Sequence, residues 1–187
     1  FYTITFPTAN KTFTVSELLA ENGWFEISSG TIGDKWQGSS VIGVYGKNYV
    51  ADSENGNIYT LDLNTYTNNG EALQRTRVVS NIDARLVGGS IGDAITMSSV
   101  IISMETGVGL IAGQGDNPRI IVEASFDGGR SWNAGAWPRV GRLGEFVLKV
   151  EWDKMKTFYD CMLRLSSTDP VNYSVYSANI KLRAGGR

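Results

Sequence analysis

The segment Glu54-Asn55-Gly56-Asn57-Ile58-Tyr59-Thr60-Leu61-Asp62-Leu63 carries both signatures of an antiparallel sheet. Asn-Gly tolerates the positive φ of a tight hairpin turn. Beyond it, Tyr59, Leu61 and Leu63 alternate with Ile58, Thr60 and Asp62, which is the period of a strand. The same alternation runs through Ala178, Ile180 and Leu182, set against Asn179, Lys181 and Arg183. It is also read in Phe146, Leu148, Val150 and Trp152, set against Val147, Lys149 and Glu151. Further strand-like runs occupy residues 2–6, 41–45, 73–79, 95–103, 119–126 and 161–165. Helical character is confined to residues 15–22.

Turn chemistry separates these runs. Asn68-Asn69-Gly70 repeats the Asn-Gly signal, Asp127-Gly128-Gly129 opens another hairpin, and Asp116-Asn117-Pro118 and Thr168-Asp169-Pro170 start turns. Glycine supplies 22 of 187 residues, well above the usual ~7%, while proline supplies 4. These features predict an all-β chain of antiparallel, propeller-like blades or hairpins with a sandwich-like C-terminal part. Gly88-Gly89-Ser90 and the glycines from 107 to 115 are the softest boundary candidates, and the first is adopted. It divides propeller-like hairpins (1–88) from a C-terminal β domain (89–187).

Composition removes whole classes of function. With no histidine, the chain cannot build a Ser-His-Asp or Cys-His hydrolase, nor a histidine-ligated metal site. The one cysteine, Cys161, excludes an internal disulfide framework, and its apolar setting predicts a buried structural thiol. Net charge is −2, whereas a protein that neutralises phosphates over a broad face is normally basic. The clusters Arg139/Arg142 and Arg183/Arg187 are small. No sequence-specific nucleic-acid binding is expected. Nor does any apolar run approach the ~20 residues of a membrane span, so no membrane partner is expected either.

One motif stands out. Ser125-Phe126-Asp127-Gly128-Gly129-Arg130-Ser131-Trp132 matches the Asp-box pattern Ser-x-Asp-x-Gly-x-Ser-Trp. Its physics is structural: the Asp127 carboxylate caps turn amides, Gly129 supplies the backbone freedom and Trp132 packs under the hairpin, with Ser125 and Ser131 completing the pattern. Asp52, Asn55 and Gly56 look briefly like a calcium loop. That loop needs glycine at its sixth position and glutamate at its twelfth, and the chain has Asn57 and Leu63 there. A hairpin turn explains them better. The glycines at 107, 109, 113 and 115 lack dinucleotide-loop spacing, and Trp152-Asp153 lacks a repeat partner. Nineteen acidic residues could supply a glycosidase pair. Arg75, Arg77, Tyr59 and Tyr66 could be cast as a sialidase cluster, but nothing in their spacing brings them together. No catalytic, cofactor-binding or metal-binding residue is assigned, and no cofactor is expected.

Taken together, the turn and packing motifs have a familiar order. Gly113-Gln114-Gly115-Asp116-Asn117-Pro118 leads through a strand to the Asp-box, and Arg142-Leu143-Gly144-Glu145-Phe146 and Val150-Glu151-Trp152 follow. Arg164-Leu165-Ser166 and Ser167-Thr168-Asp169-Pro170-Val171 complete the series. This order resembles the C-terminal part of packaged-DNA stabilisation proteins, the tail-hub or head-completion proteins of short-tailed bacteriophages. Tyr49-Val50-Ala51-Asp52, Gly56-Asn57-Ile58-Tyr59 and Asn68-Asn69-Gly70 resemble that family's propeller-like hairpins. Family members are longer, and the chain opens at Phe1, so a C-terminal fragment is expected.

The resemblance implies a non-enzymatic structural protein of the virion tail, assembled in the host cytoplasm. Such a protein closes the portal channel after DNA packaging and links the portal adaptor to the tail needle and tailspikes. Self-association in a ring, hexameric by the same resemblance, goes with that role. The alternative is a carbohydrate-binding or sialidase-like β domain, suggested by the Asp-box and five tryptophans. Tryptophans exposed on one face would favour sugar stacking, and tryptophans buried beneath hairpins would favour a scaffold.

Overall fold

A computed structural model describes residues 1–17, 23–30, 33–133 and 135–184. The chain is all-β, with several antiparallel sheets and, among the described residues, fourteen strands. It divides into two compact units, Phe1–Gln74 and Arg75–Arg187. The division falls before the glycines at 88 and 89. Gly88 is the left-handed cap (φ 79°) of a 3-10 turn at Ala84–Val87, which continues directly from a strand of the second unit.

Unit 1 holds β1 (Tyr2–Phe6), β2 (Lys11–Val15) and β3 (Phe25–Glu26) in one sheet. A second sheet is the meander β4 (Gly38–Val44), β5 (Lys47–Asp52) and β6 (Ile58–Leu61). β7 (Thr67–Asn68) and β8 (Glu71–Ala72) form a short hairpin. The Asn-Gly turn sits between β5 and β6, where the sequence puts it. β2 buries hydroxyls instead of hydrocarbon: Thr12 and Thr14 are 0% and 3% exposed. A buried hydroxyl must be paired, and these are, across the β1–β2 register. Thr12 shares a 3.1 Å hydrogen bond with Thr5, and Thr14 one of 2.9 Å with Thr3. Val50 is the single fully buried apolar side chain of this unit among the described residues.

Unit 2 holds two three-stranded sheets. One is ordered β12 (Val150–Phe158), β10 (Ile95–Met104), β14 (Val175–Ala184). The other is ordered β11 (Ile121–Ser125), β13 (Asp160–Ser167), β9 (Arg75–Asp83). Alternate residues of both sheets enter one core, including Ile95, Met97 and Val100 of β10 with Val122, Leu163 and Val150. Burying each aliphatic chain of this kind is worth ~1.5–3 kcal/mol. The bulge between Met97 and Ser99 faces both partners of β10, so one irregularity resets the register to β12 and β14 together.

The alternation expected from Phe146 to Trp152 is a strand only from Val150 onward. Phe146 is 71% exposed and Val147 fully exposed. The chain turns immediately before them: the Glu145 amide donates to the Arg142 carbonyl at 3.0 Å, and the Phe146 amide to the Gly144 carbonyl at 3.0 Å. A ladder cannot use amides already committed in this way. Of the expected helical segment 15–22, Val15 ends β2, and residues 18–22 lie outside the described residues.

Candidate functional site

The Asp-box follows directly from the end of β11. Asp127 Oδ1 accepts from the Ser131 amide (2.9 Å) and the Ser125 hydroxyl (2.7 Å). Asp127 Oδ2 accepts from the Ser131 hydroxyl (2.6 Å), and Ser125 Oγ accepts from the Gly129 amide (2.8 Å). Donation from the Ser131 hydroxyl, then from its amide and from Ser125, holds the Asp127 carboxyl well below the usual carboxylate range. Gly129 has φ 88°, a conformation that side chains rarely adopt. A Cβ there would also lie 3.4 Å from the Met162 sulfur. Trp132 is held from β13 by Arg164, whose guanidinium lies 4.3 Å from the ring centroid. The carboxylate therefore faces its own loop, with every oxygen occupied by turn donors.

Two further motif segments of the C-terminal half meet at a small pocket of about 270 Å3, lined by Asp116, Arg119, Trp137 and Asp169 among others. Asp169 Oδ2 accepts from the Arg119 amide at 2.8 Å, and Gln114 Nε2 donates to the Thr168 carbonyl at 3.2 Å. Gly115, at φ 93°, passes so close to Pro170 and Val171 that a Cβ would stand 3.3 and 3.2 Å from them. Arg75 Nη1 donates to the Val171 carbonyl at 2.7 Å, which closes the same corner from β9. Gly113–Pro118 and Ser167–Val171 are thus two halves of one packed turn structure.

In unit 1, Asp52 Oδ1 accepts from the amides of Glu54 (2.7 Å) and Asn55 (3.1 Å). Asn55 Oδ1 accepts from the Asn57 amide (2.8 Å), and Gly56 has φ 72°. The turn has a further product. Asn55 Nδ2 and Asn57 Nδ2 both donate to the Tyr59 hydroxyl, each at 3.0 Å. Tyr59 and Tyr66 belong to unit 1, Arg75 and Arg77 to unit 2, and Arg75 is engaged as just described. Cys161 lies on β13, 1% exposed, and burial pushes its thiol up to about 12.

The tryptophans divide. Trp152 is buried and Trp36 and Trp132 are partly buried, while Trp24 and Trp137 are 51% and 57% exposed. Among the described residues, no three His, Cys, Asp or Glu side chains gather at one point, and no helix is long and apolar enough to cross a membrane. Unit 1 also holds a cleft, lined by side chains such as Trp36 and Asn48 and by Asn68 of the second Asn-Gly turn. The cleft is put together from three separate sheets, so no local spacing in the sequence could mark it. No protein-family model matches this chain, and no curated protein matches it.

Proposed function

We propose that this chain is a structural virion protein of a phage tail, without enzymatic activity. It closes the portal channel after DNA packaging and links the portal adaptor to the tail needle and tailspikes. The motif order quoted above suggests the role, and one surface supports it. β4 pairs with β5 on one side only, yet carries Val41 (57% exposed), Ile42 (63%) and Val44 (37%) on a strand exposed on both faces. No residue from Gly38 to Val44 is charged. Proteins that work alone guard such edges with lysine, proline or a covering loop. An edge covered by a neighbouring subunit needs no guard. Around a ring each contact is heterologous, so this edge meets a different face of the next copy, and six copies close the ring.

The test is co-expression with a short-tailed phage's portal and adaptor proteins, followed by affinity capture through the adaptor. The chain is expected in the captured ring, and Ile42→Lys is expected to lower its yield there without changing its own folding. Absence of the unmodified chain from the captured ring overturns the proposal.

A further inference from the structure

The cleft of unit 1 measures about 1060 Å3, and three sheets contribute to its walls. One face of the β4–β5–β6 meander supplies Val41, Asn48, Tyr59 and Leu61. The register explains why they share it: Val41 lies opposite Val50, Val50 opposite Tyr59, and Asn48 opposite Leu61. β1 adds Tyr2, β3 adds Phe25, and the turn between β7 and β8 adds Asn69.

The chemistry of this lining is selective. Aromatic rings are present in Tyr2, Phe25, Trp36 and Tyr59, and neutral hydrogen-bonding groups in Asn48 and Asn68. No lysine or arginine lines the cleft among the described residues. Its one carboxylate, Asp62, has both oxygens engaged within its own turn: Oδ1 accepts from the Asn64 amide and Oδ2 from the Thr65 hydroxyl, each at 3.1 Å. A phosphate, sulfate or carboxylate ligand would therefore meet no cationic side chain. A purely hydrocarbon ligand would strip water from the amides and return no hydrogen bond.

A sugar meets both demands. Its C–H faces lie on aromatic rings, and its hydroxyls donate to and accept from amides. Tyr59 is prepared for such a contact. Its oxygen already accepts from Asn55 and Asn57, which leaves the phenolic proton as the donor still to be used. The volume stands at the upper end of ordinary small-ligand sites, about 300–1,000 Å3, which suits a chain of sugars better than one.

We propose that this cleft binds a neutral oligosaccharide, with Tyr2, Trp36 and Tyr59 as stacking rings and Asn48 and Asn68 as polar contacts. It goes beyond the assembly reading and does not rest on it. The experiment is a titration of the full chain, followed by tryptophan fluorescence and calorimetry. The probes are hexasaccharides of β- and α-linked glucose, mannose and N-acetylglucosamine, with a heparin hexasaccharide as the anionic control. At least one neutral hexasaccharide is expected to bind with Kd of about 1 mM or tighter, and its disaccharide about tenfold more weakly. Tyr2→Ala and Asn48→Ala, both at exposed positions, are each expected to weaken binding about fivefold with thermal unfolding unchanged. Should Tyr2→Ala misfold, Asn48→Ala carries the comparison alone. The proposal is overturned if no neutral hexasaccharide titrates up to about 10 mM. It is equally overturned if heparin alone binds, or if binding ignores the substitutions.

Discussion

The Arg164 guanidinium lies over the Trp132 ring, 4.3 Å from its centroid, and the same Arg164 donates through Nε to Glu123 at 2.7 Å. Glu123 and Arg164 are direct partners in the β11–β13 register. A loop residue is thereby fastened to a cross-strand ion pair, which ties the Asp-box to the sheet behind it. Such a contact is worth ~0.5–1 kcal/mol when partly exposed, and the ion pair adds a similar amount. Arg164→Met is expected to cost about 1–2 kcal/mol in urea unfolding. A double-mutant cycle with Trp132→Leu should return a coupling of ~0.5–1 kcal/mol. Zero coupling would separate the loop from the sheet.

The Asp127 carboxyl gives a pH signature. Its folded pKa is depressed, chiefly by the Ser131 hydroxyl, and those of Asp83 and Glu151 are depressed by Arg85 and Lys149. Depressed carboxyls contribute stability that is fully present above the unfolded value of about 4 and is lost as pH falls below it. Asp127→Asn, which cannot titrate, should be less stable than the parent near neutrality and should lose less between about pH 5 and about pH 3. Parallel stability-versus-pH curves for the two proteins would show that the Asp127 contacts do not persist in solution.

Cys161 supplies a probe of opening. Reaction requires the thiolate, and burial keeps this thiol protonated up to about 12. Iodoacetamide at about pH 8 should modify the native chain only as fast as it unfolds, and at once in denaturant. Rapid labelling of the native chain would place the thiol at the surface.

Nucleic acid gives a negative prediction. Net charge is −2, and Arg139, half of one small basic cluster, is taken up by Asn117 (2.9 Å) and Glu145 (2.6 Å). Arg187, in the other cluster, lies outside the described residues. Duplex DNA should bind no tighter than ~10 μM at physiological salt, without sequence preference. Submicromolar affinity in a polarisation titration would contradict this.

Much of the all-β architecture could be read from the sequence because turn residues and apolar alternation coincide, as at Asn55-Gly56 and Ile58–Leu61 or through Val175–Ala184. β2 was hidden because the side chains it buries are Thr12 and Thr14, whose paired hydroxyls invert the usual polarity of the pattern. Phe146–Lys149 misled for the opposite reason: alternation without a partner strand is only composition, and the Phe146 amide is committed to the Gly144 turn. Gly88 and Gly89, one of the two soft boundary candidates, lie at the end of a 3-10 turn. The capping by Asp127 and Asp52 was legible because those contacts are local, whereas the Arg164 contact of Trp132 was not. The cleft was not, because Tyr2, Asn48 and Asn68 meet only through tertiary structure.

The central claim, that function resides in assembly on a portal-adaptor platform, is tested most directly by light scattering of the full-length protein, first alone and then with adaptor rings added. A monomeric or weakly associated protein is predicted alone, and a closed ring of about six copies once adaptor is present, with at least ~1,000 Å2 buried per neighbour. A stable ring without adaptor would contradict the templating, and no mass change on adding adaptor would contradict the claim as a whole.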